Sequence, residues 1–442
     1  MDKLTKYLNN HKNEELHPSD IAKILKDLDE KSFNEAVKYI PKELIADVAL
    51  ELPDRYFEDV IDSFSTKDIA VSLSELESDD QTDFIQELED LDENIAKEVF
   101  EKLDKDDQAD ILQLKKYEDN MAGAYMQVEL YTAYLKYSVQ DVINDFIKLR
   151  KKNELENVNY LFVTDENNYL YYGIGLDNLI IFDFSSTLED NIKKSPEKYK
   201  PIYSYDYDDI HLIVQKFQEY DLSSMPIIDR KGILVGRITS DDIYDLISEH
   251  ATDQMYNMAG VDEEAEEDDD LFQAGKTRAI WLGVNLITAI VASLVIGLFE
   301  ETLQSFVALA ILMPIVASMG GNAGTQSLTV VVRQLALGEI AQNDAYRTIK
   351  KEVILSLVNG IIFAIIMGVI SSIWFHIDML GFVIGLSMII NLFSAGFFGS
   401  MIPLFLKKLN IDPAIGSTVI LTTITDVVGF FSFLGLASII LF

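Results

Sequence analysis

Residues 421–442 read LTTITDVVGFFSFLGLASIILF, an apolar run interrupted by a single charge at Asp426. A run of this length is typical of a membrane-spanning helix, because about 20 apolar residues cross the hydrocarbon core. Burying a carboxylate at that depth is costly unless it faces water or a partner. No Lys, Arg or His occurs inside any apolar span of this sequence, so no salt bridge within the membrane can neutralise Asp426. We therefore predict that Asp426 faces a cation path, with a protonated structural Asp as the alternative.

Four further apolar stretches precede this run. The five predicted spans are Ala279–Phe299, Thr302–Val332, Val353–Phe375, Met379–Leu406 and Pro413–Phe442. The second is too long for one plain span and contains Pro314 and the run Gly320–Gly324, which predicts a broken or bent helix. Five such stretches argue against a soluble protein with a very apolar core.

Basic residues in short loops predict the orientation, since such loops stay on the cytoplasmic side. They precede the first span and lie between spans two and three and between spans four and five, at Lys276, Arg278, Arg347, Lys350, Lys351, Lys407 and Lys408. The loops around Glu300 and His376 carry no Lys or Arg. We predict a multi-pass protein of the plasma membrane, embedded in the lipid bilayer, with its N-terminus in the cytoplasm and its C-terminus outside.

The charge of the chain is divided unequally. The 442 residues carry a formal net charge of −37, yet from Lys276 onward basic and acidic residues number eight each. All of the net negative charge therefore lies in residues 1–275, which lack the apolar run of a signal peptide and are expected to stay in the cytoplasm. The absence of Cys excludes thiol catalysis, disulfides and thiolate metal sites. With no Walker A sequence, no His-Glu-x-x-His and five scattered His, neither an enzyme nor a nucleic-acid partner is expected.

The cytoplasmic half shows two patterns. Short amphipathic helices recur without strand signals in its first part, which predicts an all-α superhelical domain with acidic outer faces. Leu161–Asp165 and Pro226–Asp229 then begin two copies of a pattern of strand, turn, strand and helix. We predict a multidomain protein with an acidic helical domain (1–125), a tandem α/β pair (126–250), an acidic linker with a connecting helix (251–277) and a five-helix transmembrane pore domain (278–442).

The linker contains Asp262–Asp270, in which eight of nine residues are acidic. A solvated linker is one interpretation of this run, and a cation-responsive element beside the pore is the other.

The chemistry of the apolar half suits Mg2+. This small, hard ion gives up water reluctantly, so one or two carboxylates and neutral oxygens can hold it in hydrated form. The candidate pore-lining residues are Asn322, Gln326, Thr422 and Thr423. A two-fold axis through a homodimer would supply two Asp426 carboxylates to one site. Soft metals are less suited to this site, because the spans contain no Cys or His to bind them. Helix packing alone is the alternative role for the glycine-rich run around Asn322.

Two motifs resemble the signature of the MgtE family of magnesium channels. One runs from Pro314 through GGNAGTQ (residues 320–326) to Ala336, and the other joins Asp412–Ala414 to residues 423–429. The order of domains is also similar to that family, and residues 126–250 resemble a tandem pair of CBS domains. The resemblance implies a homodimeric channel in which Asp426 binds hydrated Mg2+. It also implies that Mg2+ bound to the cytoplasmic domains closes the pore through the connecting helix.

The resemblance further implies acidic regulatory ligands for Mg2+ in the second CBS domain and the connecting helix. The matching residues are Asp221, Asp242, Asp245 and Asp253. Where the family has acids, this chain carries His211, His250 and Gln254, so the number and affinity of regulatory ions stay open.

Two alternatives remain. The same scaffold could carry Co2+ or Mn2+, or the chain could be a membrane sensor regulated by a nucleotide. Residues 236–242 fit the G-x-h-T-x-x-D pattern that places Thr and Asp on a ribose in some CBS pairs, which makes Thr239 and Asp242 candidate ATP ligands. Asn178 stands where the first copy would need the corresponding Asp.

Overall fold

The computed structural model describes residues 4, 7, 17–152, 155, 158–261, 271–336, 340, 345–409 and 411–441. The chain divides into two compact units, Met1–Ser248 and Glu249–Phe442. The acidic run Asp262–Asp270, whose role the sequence leaves open, lies outside the described residues.

The first unit begins with a domain that is helical throughout its described part. Its α-helices are α1 (Pro18–Lys26), α2 (Glu30–Ala36), α3 (Ile45–Leu50), α4 (Phe57–Asp62), α5 (Thr66–Leu73), α6 (Ser78–Leu91), α7 (Glu93–Phe100) and α8 (Lys105–Leu114). Acidic residues begin several of them, because a carboxylate satisfies the free N–H groups of the first turn. Asp92 accepts from the N–H groups of Asn94 and Ile95, and Asp104 accepts from the two N–H groups that follow Lys105. The inner faces form one aliphatic core, which confirms the predicted all-α domain.

Two α/β modules follow in the same unit. The first contains β1 (Thr132–Tyr134), α9 (Val139–Arg150), β2 (Tyr160–Thr164), β3 (Leu170–Gly175), α10 (Leu176–Ile180) and α11 (Leu188–Ile192). The second contains β4 (Ser204–Tyr205), α12 (Ile210–Tyr220), β5 (Ser224–Ile228), β6 (Leu234–Thr239) and α13 (Ser240–Ala259), a helix that continues into the second unit. In each sheet the first strand is parallel to the second, and the second is antiparallel to the third. This shared topology confirms the predicted tandem pair.

Long apolar helices dominate the second unit. They are α14 (Leu271–Gly297), α15 (Glu300–Ser305), α16 (Val307–Ala336), α17 (Ala345–Phe375), α18 (Asp378–Lys408) and α19 (Ser417–Ile440). Among the described residues, five of them are long and apolar enough to cross a membrane, α15 being the short exception. The five predicted spans are therefore confirmed.

The sequence predicts a broken or bent helix at Pro314 and the glycine-rich run. The break does not occur, since α16 is helical from Val307 to Ala336, and the bend stays a prediction. A proline removes one hydrogen bond of a helix, and the remaining bonds of a 30-residue helix persist around it. The glycines instead make room for neighbouring helices. A Cβ on Gly320 would lie 2.2 Å from Nδ2 of Asn391, and one on Gly324 would lie 3.0 Å from Leu421. The chain is interrupted earlier, at Phe306 between α15 and α16.

Close approach of helix backbones is the rule in this unit. A Cβ on Gly399 of α18 would lie 2.7 Å from the carbonyl oxygen of Gly324 on α16. A Cβ on Gly381 of α18 would lie 2.4 Å from the carbonyl oxygen of Gly368 on α17. Lipid tails are as apolar as leucine, so membrane helices associate largely through such tight van der Waals contact between small residues. Helix α18 is thereby held against both of its neighbours.

The first prediction tests this packing with a matched pair of substitutions. Gly399→Ala should destabilise the detergent-purified chain by about 1–3 kcal/mol, because its methyl group meets backbone that cannot rotate away. Gly283→Ala adds a methyl group that, among the described residues, has no heavy atom within 4 Å apart from the backbone of its own helix, and it should be neutral or slightly stabilising. Thermal unfolding measures both variants, and equal unfolding temperatures would contradict the packing argument.

Candidate functional site

Asp426 lies on α19 and is half-buried. In the part of the chain that the structure describes, its carboxylate has neither a hydrogen bond nor an ion pair. Thr422 and Thr423 lie one turn before it, and each donates its hydroxyl to a carbonyl of its own helix. The distances are 2.9 Å from Thr422 to Thr418 O and 2.6 Å from Thr423 to Val419 O. With the hydrogens engaged in the helix, the hydroxyl oxygens keep lone pairs that can accept from water or coordinate a cation.

Helix α16 supplies the other two predicted pore-lining residues. Asn322 and Gln326 are four residues apart and therefore share a face, and both are exposed in the single chain. Asn322 donates to Oγ of Ser318 at 3.3 Å. A Cβ on Gly321 would lie 3.9 Å from the methyl group of Thr422, so α16 and α19 are in contact beside these residues. Exposed amides at membrane depth are unfavourable against lipid, so this face needs water or a second protein surface.

The interface between the helical domain and the second α/β module contains a feature that the sequence analysis missed. Arg237 of β6 is almost fully buried, and its guanidinium lies 3.4 Å from the carboxylate of Glu77, just before α6. Ser78 strengthens the same junction, since its backbone N–H and hydroxyl both donate to Glu129 at 3.2 and 3.0 Å. The signal was a lone charge within the apolar strand LVGRIT (residues 234–239), because a buried charge needs a partner.

Several carboxylates crowd this interface. Burial raises the pKa of Glu77 to about 7, although the charge of Arg237 acts in the opposite direction. Asp79 is 6% exposed, and burial, followed by the nearby charge of Asp242, raises its pKa well above the usual range. Burial also raises the pKa of Asp242, against the hydrogen bonds that Thr239 donates to it. Helix α6 and helix α13 therefore bring acidic groups from two domains within reach of one another.

The predicted regulatory and nucleotide residues have local partners. Asp242 accepts from the backbone N–H and the hydroxyl of Thr239 at 3.0 and 2.6 Å, as in the cap at the start of a helix. The G-x-h-T-x-x-D pattern therefore has a structural role here, and its role in ATP binding stays a prediction. Asn178 of the first module accepts from Lys198 at 2.6 Å.

The remaining acidic candidates lie on helices or at their ends. Asp242 and Asp245 are three residues apart and lie on neighbouring positions of α13 in the first unit, and Asp253 lies on the part of this helix that belongs to the second unit. Asp253 accepts from Asn257 at 2.8 Å, and His250 and Gln254 contact each other at 2.9 Å. Asp221 ends α12 in the left-handed backbone region. No group of three or more His, Asp or Glu poised to hold a metal occurs among the described residues.

Comparison with protein families gives three matches. Residues 313–436 match the model described as a divalent cation transporter, residues 16–120 match the MgtE intracellular N domain, and residues 199–249 match the CBS domain. The matches fall on the membrane helices, the helical domain and the second α/β module.

Curated relatives match most of the chain. It is 28% identical over 427 residues to the magnesium transporter MgtE of Bacillus subtilis, covering 96% of this chain and 92% of the relative. It is 31% identical over 329 residues to the magnesium transporter MgtE of Enterococcus faecalis, covering 74% of this chain and 71% of that one. A solved structure, the cytosolic domain of the Mg2+ channel MgtE in complex with ATP, aligns at 25% identity with a TM-score of 0.47, covering 52% of this chain and 91% of that one.

The second prediction concerns pH. The pKa of Glu77 is about 7 in the folded chain and near 4.5 when unfolded, so the folded state binds this proton more tightly. Its contribution to stability is full below about pH 4.5 and is lost as the pH rises through about 7. The free energy of unfolding of the parent chain should therefore fall between about pH 4.5 and pH 7, by up to about 3 kcal/mol at about 1.4 kcal/mol per pKa unit. Glu77→Gln cannot titrate, so in the presence of a chelator this part of the fall should be absent.

Thermal unfolding of the full chain in detergent at pH 4, 6 and 8 provides the measurement. The exposed neighbour Glu75, changed to Gln, is the matched control and should follow the parent chain. A Glu77→Gln profile parallel to that of the parent would show that this carboxyl keeps its ordinary pKa.

Proposed function

Because this chain belongs to the MgtE family of divalent cation transporters, we propose that it is a homodimeric, Mg2+-selective channel that admits Mg2+ across the plasma membrane. The family resemblance expected from the sequence is confirmed, and a multi-pass membrane protein that transports Mg2+ follows from it. The finer proposal rests on one observation, the half-buried carboxylate of Asp426 on a spanning helix.

The chemistry around Asp426 supports a hydrated divalent cation. A carboxylate at membrane depth needs water or a counter-charge, and the described neighbours supply no basic group. The threonine hydroxyls one turn away offer neutral oxygens, which suit an ion that keeps most of its water. Two copies of Asp426 across a two-fold axis would match the charge of one Mg2+. The exposed amides of Asn322 and Gln326 would then face the same aqueous path.

Regulation by cytoplasmic Mg2+ is the second part of the proposal. Two carboxylates about 4 Å apart repel by about 4 kcal/mol at an effective dielectric constant near 20. A divalent cation between them turns this repulsion into attraction, so it favours the compact arrangement in which acidic domains meet. Glu77, Asp79 and Asp242 supply such a meeting of carboxylates. Asp245 follows Asp242 by three residues on the same helix, and the family resemblance adds Asp221 and Asp253 as further candidate ligands. The ion shifts the gate only as far as it binds the compact state better.

The third prediction tests permeation. Asp426→Asn keeps the shape of the side chain and removes its charge, so Mg2+ flux into liposomes should fall by at least about tenfold. The unfolding temperature should change little, because the carboxylate has no hydrogen bond to lose among the described residues. Asp378→Asn, at the exposed first residue of α18, is the control and should conduct as the parent does. Parental flux and selectivity in Asp426→Asn would refute the assignment, and flux of Co2+ or Mn2+ in preference to Mg2+ would favour the alternative cargo.

The fourth prediction tests the gate. Neutralising Asp242, Asp245 and Asp253 together to Asn should raise the Mg2+ concentration needed for closure by roughly tenfold or more, since three proposed ligands lose their charge. Ion preference should stay unchanged, because the pore is untouched. Patch recording across a Mg2+ series measures both quantities. An open probability that stays flat in the parent chain across that series would rule out this gate while leaving the pore assignment intact.

A further inference from the structure

Asn391 is a fully buried amide near the middle of the spanning helix α18. Its sequence neighbours Ile389, Ile390 and Leu392 are apolar. Its nitrogen Nδ2 donates to the backbone carbonyl of Val316 on α16 at 2.8 Å. A carbonyl can only accept, so the nitrogen must face Val316, and this fixes which end of the amide is Oδ1. Among the described residues, that oxygen has no hydrogen-bond partner.

The amide fills the space that two glycines leave open. A Cβ on Gly320 of α16 would lie 2.2 Å from Nδ2 of Asn391, and a Cβ on Gly429 of α19 would lie 2.7 Å from the same atom. One side chain of α18 therefore contacts both helices that carry the proposed pore residues. Any side chain on either glycine would have to displace it.

These contacts are close to the pore residues along each helix. Gly429 lies three residues after Asp426, which places the carboxylate about 60° around α19 and about 4.5 Å along it from the contact. Gly320 lies two residues before Asn322, which is about 200° around α16. Asn391 therefore supports α16 from behind the face that presents Asn322, and it meets α19 beside the face that presents Asp426.

Packing alone does not explain this residue. A buried acceptor without a partner lowers stability by about 1–3 kcal/mol relative to a satisfied one, so an apolar side chain would suit a purely structural position. What the amide adds is a directed bond to the backbone of α16, which fixes the height and rotation of that helix relative to α18.

We propose that Asn391 is a positioning residue for ion permeation, whose carboxamide sets the spacing of α16 and α19 and hence the placement of Asp426 in the ion path. The inference rests on the proposed function, since it assumes that ions pass Asp426. Asn391 itself does not contact the ion.

The test uses the full chain in liposomes and reads ion preference as well as flux. Asn391→Ala should lower the ratio of Mg2+ to Ca2+ flux by about tenfold or more, because misplacing a binding group by about 1 Å has effects of this size or larger. The half-saturating Mg2+ concentration should rise with it. Ser387→Ala is the matched control and should keep the parental ratio. Ser387 is a buried polar residue of α18 whose hydroxyl, among the described residues, bonds only to the carbonyl oxygen of Ile384 in its own helix.

A double variant separates positioning from the filling of space. Gly320→Ala together with Asn391→Ala puts a methyl group where the amide was, since all three nearest atoms to that Cβ belong to Asn391. We expect the double variant to recover the unfolding temperature but not the ion preference. It also provides a folded variant should Asn391→Ala alone be unstable.

The outcomes are distinct. A parental Mg2+ to Ca2+ ratio in Asn391→Ala, or its recovery in the double variant, would overturn this inference and leave the proposed channel intact. A parent chain that passes no Mg2+ at all would overturn the proposed function, and this inference with it.

Discussion

A carboxylate inside an apolar helix must be compensated, and the described helices around Asp426 bring no basic group to it. This constraint governs the arrangement of the second unit. The compensation has to come from water, from a passing cation or from a second protein surface, and each of these requires an opening beside α19. The polar face of α16, which carries the exposed Asn322 and Gln326, likewise needs water or a second protein surface beside it. The opposite faces of these helices are then free to pack as tightly as backbone contact allows.

Glycine residues on one side of these helices allow tight packing, while the polar residues of the proposed ion path lie on the other side. Gly320 and Gly324 let α18 and α19 approach α16 closely, and Gly399 of α18 packs against the backbone of Gly324. A helix with glycines along one face can remain continuous, since each glycine destabilises a helix by only about 1 kcal/mol relative to alanine. This explains why α16 is continuous through a glycine-rich run that would also be compatible with a break. Asn391 is one of the buried polar residues within this packing, and the hydrogen bond that its side chain donates to the carbonyl of Val316 joins α18 to α16.

Features that depend on local pattern could be predicted from the sequence. The five spans, the all-helical acidic domain and the repeated α/β topology follow from length, periodicity and composition, and Asp426 stands out because it is alone in its span. Features that depend on tertiary neighbours could not. Glu77 and Asp79 are two acids among 73, and nothing local distinguishes a buried one from a solvated one. Asn391 looked like an ordinary residue of an apolar span until Gly320 and Gly429 were seen to surround it.

The buried pair of Arg237 and Glu77 has a consequence for the proposed regulation of this interface by Mg2+. A guanidinium attached to the chain is a counter-ion with permanent full occupancy, whereas a soluble cation binds according to its concentration. The covalent charge therefore adds a constant amount to the affinity between the helical domain and the second α/β module. By mass action, a constant contribution displaces the midpoint of an ion titration without altering its steepness. In the proposed regulation by Mg2+, a change of the single residue Arg237 in β6 would therefore shift the Mg2+ concentration at which the interface responds.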